Sequence, residues 1–71
     1  MKIDDWCAEL ETLMANRGVS ILSRKAVVPN IWGRGYVYKA SLGDMGFGLR
    51  VQEHEVLGRI SPERFLSNVI T

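Results

Sequence analysis

One cysteine, one histidine and two prolines in 71 residues leave little of the material from which small proteins build sites or staples. Cys7 alone excludes an intrachain disulfide and any cysteine-based zinc cluster. With His54 the single histidine, a metal site would need scattered carboxylates, so neither metal nor other cofactor is expected. No apolar run approaches the ~20 residues needed to span a bilayer, so the expected partners do not include a membrane. Charge of one sign is not in excess either, the net being +1. A small unstapled domain with a free thiol suits a reducing compartment. The opening Met1-Lys2-Ile3-Asp4-Asp5 is acidic where a secretory leader is basic and then apolar, so the cytoplasm is the expected location.

What is present is enough for one domain. Hydrophobic residues make up 46% and charged residues 24%, an ordinary globular balance. Residues 1–71 form a single small α+β domain, and folding at this size buries only about 60% of the chain's surface. A thin core of that kind often gains from a partner. The charges are unevenly spread. Residues 1–16 carry Lys2 against four carboxylates, net −3; residues 17–50 carry six cations against Asp44, net +5; residues 51–71 are net −1. A basic centre between acidic flanks can steer an anionic partner to one face.

The first element is a helix from about Asp4 to Arg17, with Ile3, Trp6, Cys7, Leu10, Leu13 and Met14 on one apolar stripe and Gly18 as its cap. Val19 to Val28 reads as a strand whose alternation changes phase, which either a bulge near Leu22–Ser23 or a division into two short pieces would reconcile. Pro29-Asn30 ends it. A glycine-bearing loop with Ile31 and Trp32 leads to a second strand, Tyr36 to Leu42. Its residues Tyr36, Tyr38, Ala40 and Leu42 lie on one face, and Val37, Lys39 and Ser41 on the other. Gly43-Asp44-Met45-Gly46 is a short connection to a third strand in which Phe47, Leu49 and Val51 alternate with Gly48, Arg50 and Gln52. The pattern leaves open whether residues 52–58 extend that strand or bend away. Ser61 as N-cap, Pro62 at the first helical position and an Ile60–Phe65 staple open a final helix. The order is α-β-β-β-α: a three-stranded antiparallel sheet with two helices packed on one face.

Few residues offer chemistry. Glu53-His54-Glu55 puts carboxylates beside an imidazole, but on a strand they face opposite ways and no nucleophile accompanies them, so a solvated edge is expected. Cys7 on the apolar stripe reads as a small buried hydrophobe. Gly33-Arg34-Gly35 and Gly43 to Gly48 lack the spacing and the following helix of a phosphate-binding loop. No catalytic residue is assigned and the chain is read as a non-enzyme. Two features remain. Lys39 and Arg50, with Gln52 and with Arg24 or Lys25 and Arg34 as further candidates, would form an open basic sheet face, either a contact surface or merely solvated. Trp32 beside Arg34 pairs two residue types common at binding hot spots, unless Trp32 folds back to plug the core.

The element order resembles that of the double-stranded-RNA-binding domain across most of the chain. That family grips phosphates with lysines at the start of its last helix. Here the turn is Ser61-Pro62-Glu63-Arg64, and a glutamate repels phosphate, so the activity is not carried over. The expected function is a non-enzymatic protein-binding module that occupies a surface on a larger protein or protein–nucleic-acid assembly. Small inhibitors and adaptors of phages and mobile elements, including those aimed at host defence, have this profile. Nucleic-acid binding by the basic face is the alternative, and a homodimer through a strand edge or the Trp32 loop fits the thin core.

Overall fold

In the computed structural model, which describes residues 1–70, helix α1 spans Ile3–Asn16. Ile3, Trp6, Cys7, Leu10 and Met14 recur every three or four residues and are all buried. The helix stops at Gly18, whose φ of +75° suits a residue without Cβ. There Val19 N–H donates to Met14 O at 2.9 Å and Gly18 N–H to Ala15 O at 3.1 Å, satisfying the last carbonyls.

The chain then enters a meander of β1 (Ser20–Ala26), β2 (Gly35–Leu42) and β3 (Met45–Gln52), with β2 in the centre and both pairings antiparallel. The register of β1 on β2 shifts between Ile21 and Ser23, so Leu22 is the bulged residue expected from the change of phase. β1 is shorter than the expected Val19–Val28 strand: Val27 N–H makes a last bond to Gly35 O at 2.9 Å, and residues 28–34 then fold across the end of the sheet. The turn between β2 and β3 is also tighter than expected. Leu42 pairs with Met45, only Gly43 and Asp44 are left out, and Gly43 takes the positive φ of +60° that such a two-residue turn requires.

Residues 52–58 bend away. Glu53–Val56 form one helical turn, α2, so Glu53, His54 and Glu55 do not alternate as on a strand. Helix α3, Pro62–Val69, starts with Ser61 Oγ accepting Arg64 N–H at 3.2 Å. Ile60 and Phe65 flank this cap, half-buried against the core. The Trp6 and Phe65 rings meet edge-on at 5.4 Å, and Trp6 Nε1–H donates to Ile60 O at 3.0 Å. These contacts tie α3 to α1.

Both long helices lie on one side of the sheet. Tyr38, Ala40, Leu49 and Val51 meet Ile3, Trp6, Cys7, Leu10, Met14 and Leu66 in a single core. Alternation then sends Lys25, Val37, Lys39 and Arg50 to the other side, where all four are exposed. No helix among the described residues is long and apolar enough to cross a membrane.

Candidate functional site

The loop between β1 and β2 is built around one carboxamide. Asn30 Oδ1 accepts the Trp32 backbone N–H at 2.8 Å, and Asn30 O accepts Gly33 N–H at 3.0 Å. Asn at the first position and Gly at the fourth is the chemistry of a β-turn, and Gly33 takes φ +87°. The turn is pinned from β3 and α2. Gln52 Nε2 donates to Asn30 Oδ1 at 2.9 Å and to Gly33 O at 3.0 Å. Glu53 Oε1 accepts Arg34 N–H at 2.6 Å, while Glu53 N–H and His54 N–H donate to Arg34 O and Trp32 O, both at 2.9 Å.

Ile31 and Trp32 sit at the two corners of this turn and point outward, 85% and 45% exposed, with Val28 84% exposed beside them. Trp32 is therefore no plug for the core, a place that Trp6 fills from the opposite side of the sheet. Arg34 is exposed immediately after the turn.

Gln52 requires a correction. Expected on the open sheet face with Lys39 and Arg50, it is fully buried. The turn closes over it, and its amide nitrogen serves Asn30 and Gly33 while its Oε1 has no hydrogen-bond partner among the described residues. Gln52 supports the surface from beneath and does not belong to it. Asn30 and Gly33 mark the turn itself in the sequence, but nothing local to Gln52 says that the turn closes over it.

Lys39 and Arg50 do look away from the helices. Together β1, β2 and β3 carry Arg24, Lys25, Lys39 and Arg50 and no acidic residue. Arg24 is drawn to the covered side, where it donates to Glu11 Oε2 at 2.9 Å and lies 4.7 Å from the centre of the Tyr36 ring. Lys25, Lys39 and Arg50 remain on the open side, where Glu55 is the nearest carboxylate to Arg50 among the described residues, at 4.0 Å. That distance is the limit of an ion pair at an exposed site, and its worth there is small.

The covered side holds a polar cluster directed at stability. Tyr38 O–H donates to Glu11 Oε2 at 2.7 Å, and Tyr36 O–H to Asp4 Oδ1 at 2.6 Å. Burial, reinforced by the Glu11 hydrogen bond, pushes the Tyr38 phenol far above its ordinary range. The bond to Asp4 raises Tyr36 in the same direction. Burial pushes the Cys7 thiol up as well, the reverse of what a nucleophile needs. His54 is exposed on α2, and its neighbours Glu53 and Glu55 turn toward Arg34 and Arg50. No cluster of three or more His, Cys, Asp or Glu suited to a metal occurs among the described residues.

Comparison with protein families, with curated proteins and with solved structures finds no match to this chain. The likeness to the double-stranded-RNA-binding domain is one of element order, and the first turn of α3 presents Glu63 where that family has its phosphate grip. The functional reading therefore rests on the outward turn and the cationic sheet face.

Proposed function

We propose that the chain is a non-enzymatic protein-binding module that inserts the Ile31–Trp32 turn into an apolar pocket of a larger protein or assembly. The cationic sheet face then meets an acidic rim around that pocket. The observation that carries this reading is the pinned turn. Large apolar side chains are held out in water by a network of hydrogen bonds from Asn30, Gln52 and Glu53. A loop backbone ordered before contact loses less entropy on binding, and Trp with neighbouring Arg is the composition of a hot spot. Such a module acts by obstruction or bridging, as the small inhibitors and adaptors of phages and mobile elements do.

A second reading, nucleic-acid binding, draws on Lys25, Lys39 and Arg50 exposed on a face without acidic strand residues. The branched aliphatic chain of Ile31 next to Trp32 in the turn favours a protein pocket, because bases stack on aromatic rings and gain little from branched chains. One experiment separates the two. Immobilised wild-type chain and its Trp32→Ala and Lys39→Ala/Arg50→Ala variants are exposed to source-organism lysate and to mixed oligonucleotides over a salt series. The protein reading expects a captured protein that Trp32→Ala loses. Oligonucleotide binding that falls steeply with salt, and that the double variant weakens, supports the alternative instead.

A further inference from the structure

The two free edges of the sheet differ. β1 is broken by its bulge at Leu22, carries Arg24 and Lys25 in succession and is followed closely by Pro29, all devices that discourage a further strand. β3 runs eight residues without bulge or proline, and Arg50 is its only charge. Leu42 and Met45 close a two-residue turn, so the odd residues of β3 direct their N–H and C=O groups to β2. The Glu53 N–H to Arg34 O bond keeps to the same alternation. Gly46, Gly48 and Arg50 therefore aim their backbone groups outward, and among the described residues no hydrogen bond meets them.

Among the described residues nothing accounts for Gly46 and Gly48. Neither takes a positive φ. A Cβ at Gly46 would approach nothing closer than Ala40 O at 4.0 Å, and one at Gly48 nothing closer than Tyr38 O at 3.7 Å. Glycine inside a strand weakens it and marks a place where another group comes close.

We propose that β3 pairs antiparallel with β3 of a second copy about a two-fold axis at Gly48. Gly48 then faces its counterpart, and Gly46 of each copy faces Arg50 of the other. The missing side chains make room for the two arginines. Four residues separate these arginines along the strand direction, about 13 Å, so they do not repel strongly. Antiparallel pairing also brings the Arg50 end of each strand beside the turn that carries Asp44 of the other. A slip that set Arg50 against Arg50 would place like charges opposite.

On the helix side the same register sets Phe47 against Leu49 and Met45 against Val51. That side of the edge is an apolar cleft lined by Leu42, Met45, Phe47, Gly48, Val69 and Ile70, with Met45 64% exposed. Pairing would cover it and join two sheets into one of six strands, doubling the cationic face. The proposal does not depend on the Trp32 turn, which lies at the opposite end of β2.

Sedimentation of the full chain from about 1 to 500 μM tests it, with hydrogen exchange measured across the same range. The expected result is a shift from 8.0 kDa to twice that mass. Amides of Gly46, Gly48 and Arg50 should become protected as it occurs. Gly46→Lys, folded by circular dichroism, should raise the dissociation constant at least about tenfold, whereas Gly46→Glu, which fills the same room but pairs with Arg50, should raise it clearly less. A monomer at every concentration, a dimer indifferent to the sign of charge at position 46, or protection appearing on β1 instead would overturn the proposal. Were both variants to unfold, exchange in the wild-type chain decides alone.

Discussion

Asn30 is a small residue with a large share in the candidate surface, because its one side-chain oxygen serves both Trp32 N–H and Gln52 Nε2. Gln52 in turn has no exposed surface, so its amide cannot turn to water if those acceptors are lost. Gln52→Ala should therefore lower stability by about 1–3 kcal/mol and speed amide exchange at Trp32 and Gly33. Trp32→Ala should behave oppositely. Its ring is outside the core though half-covered, so unfolding in urea should change by no more than about 1 kcal/mol while partner binding weakens about 30-fold or more. The covered side makes a different prediction, through Tyr38. Its folded pKa lies above the value of 10.0 it has when free, so the unfolded chain releases this proton first as pH rises. The stabilisation is complete below about pH 10 and is lost above it, by about 1.4 kcal/mol per pH unit for each such group. Cys7 adds the same sign of slope from about pH 9. Urea unfolding between pH 8 and 11 should show this alkaline loss, and Tyr38→Phe should remove its own part of the slope.

At the scale of elements, a helix start and a close strand contact are the sensitive points. Ser61 caps α3 through Arg64 N–H, and Ser61→Ala should cost about 1 kcal/mol in denaturant unfolding. Gly35, at the start of β2, sits so close to β3 that a Cβ would overlap the Val51 carbonyl oxygen and crowd Gln52 Cα. Gly35→Ala should be more damaging than the cap variant, because backbone and not a flexible side chain must give way. α1, α3, the central strand and the Leu22 bulge were legible in the sequence, since each declares itself within a few neighbouring residues. The 3–4 spacing of α1, the Ser-Pro-Glu start of α3 and the change of phase after Ile21 are local signals. Gln52 and α2 were not legible for the opposite reason. Their geometry depends on Asn30, Gly33 and Arg34, about twenty residues earlier in the chain, and alternation along β3 alone sent Gln52 to the solvent side. Trp32 stood between two readings because a lone aromatic in a loop fits either until the turn beneath it is known.

For the whole molecule, the separation of surfaces is the central fact. The helices cover one side of the sheet and collect Glu11 and Asp4 against Arg24 and the tyrosines. The other side keeps Lys25, Lys39 and Arg50, with the Trp32 turn at its end and the bare β3 edge at its flank. Charge on an open face acts over about a Debye length, ~8 Å at physiological salt, and chiefly sets association rates. The Lys39→Ala/Arg50→Ala variant should thus slow association with an acidic-rimmed partner and flatten its salt dependence, leaving the dissociation rate nearly unchanged. Trp32→Ala should act on dissociation instead. The most direct measurement is a titration of the captured partner with wild-type and Trp32→Ala chains matched for thermal stability. A weakening of about 30-fold or more is the expected result; equal affinities would contradict the claim that the pinned Ile31–Trp32 turn is what the partner binds.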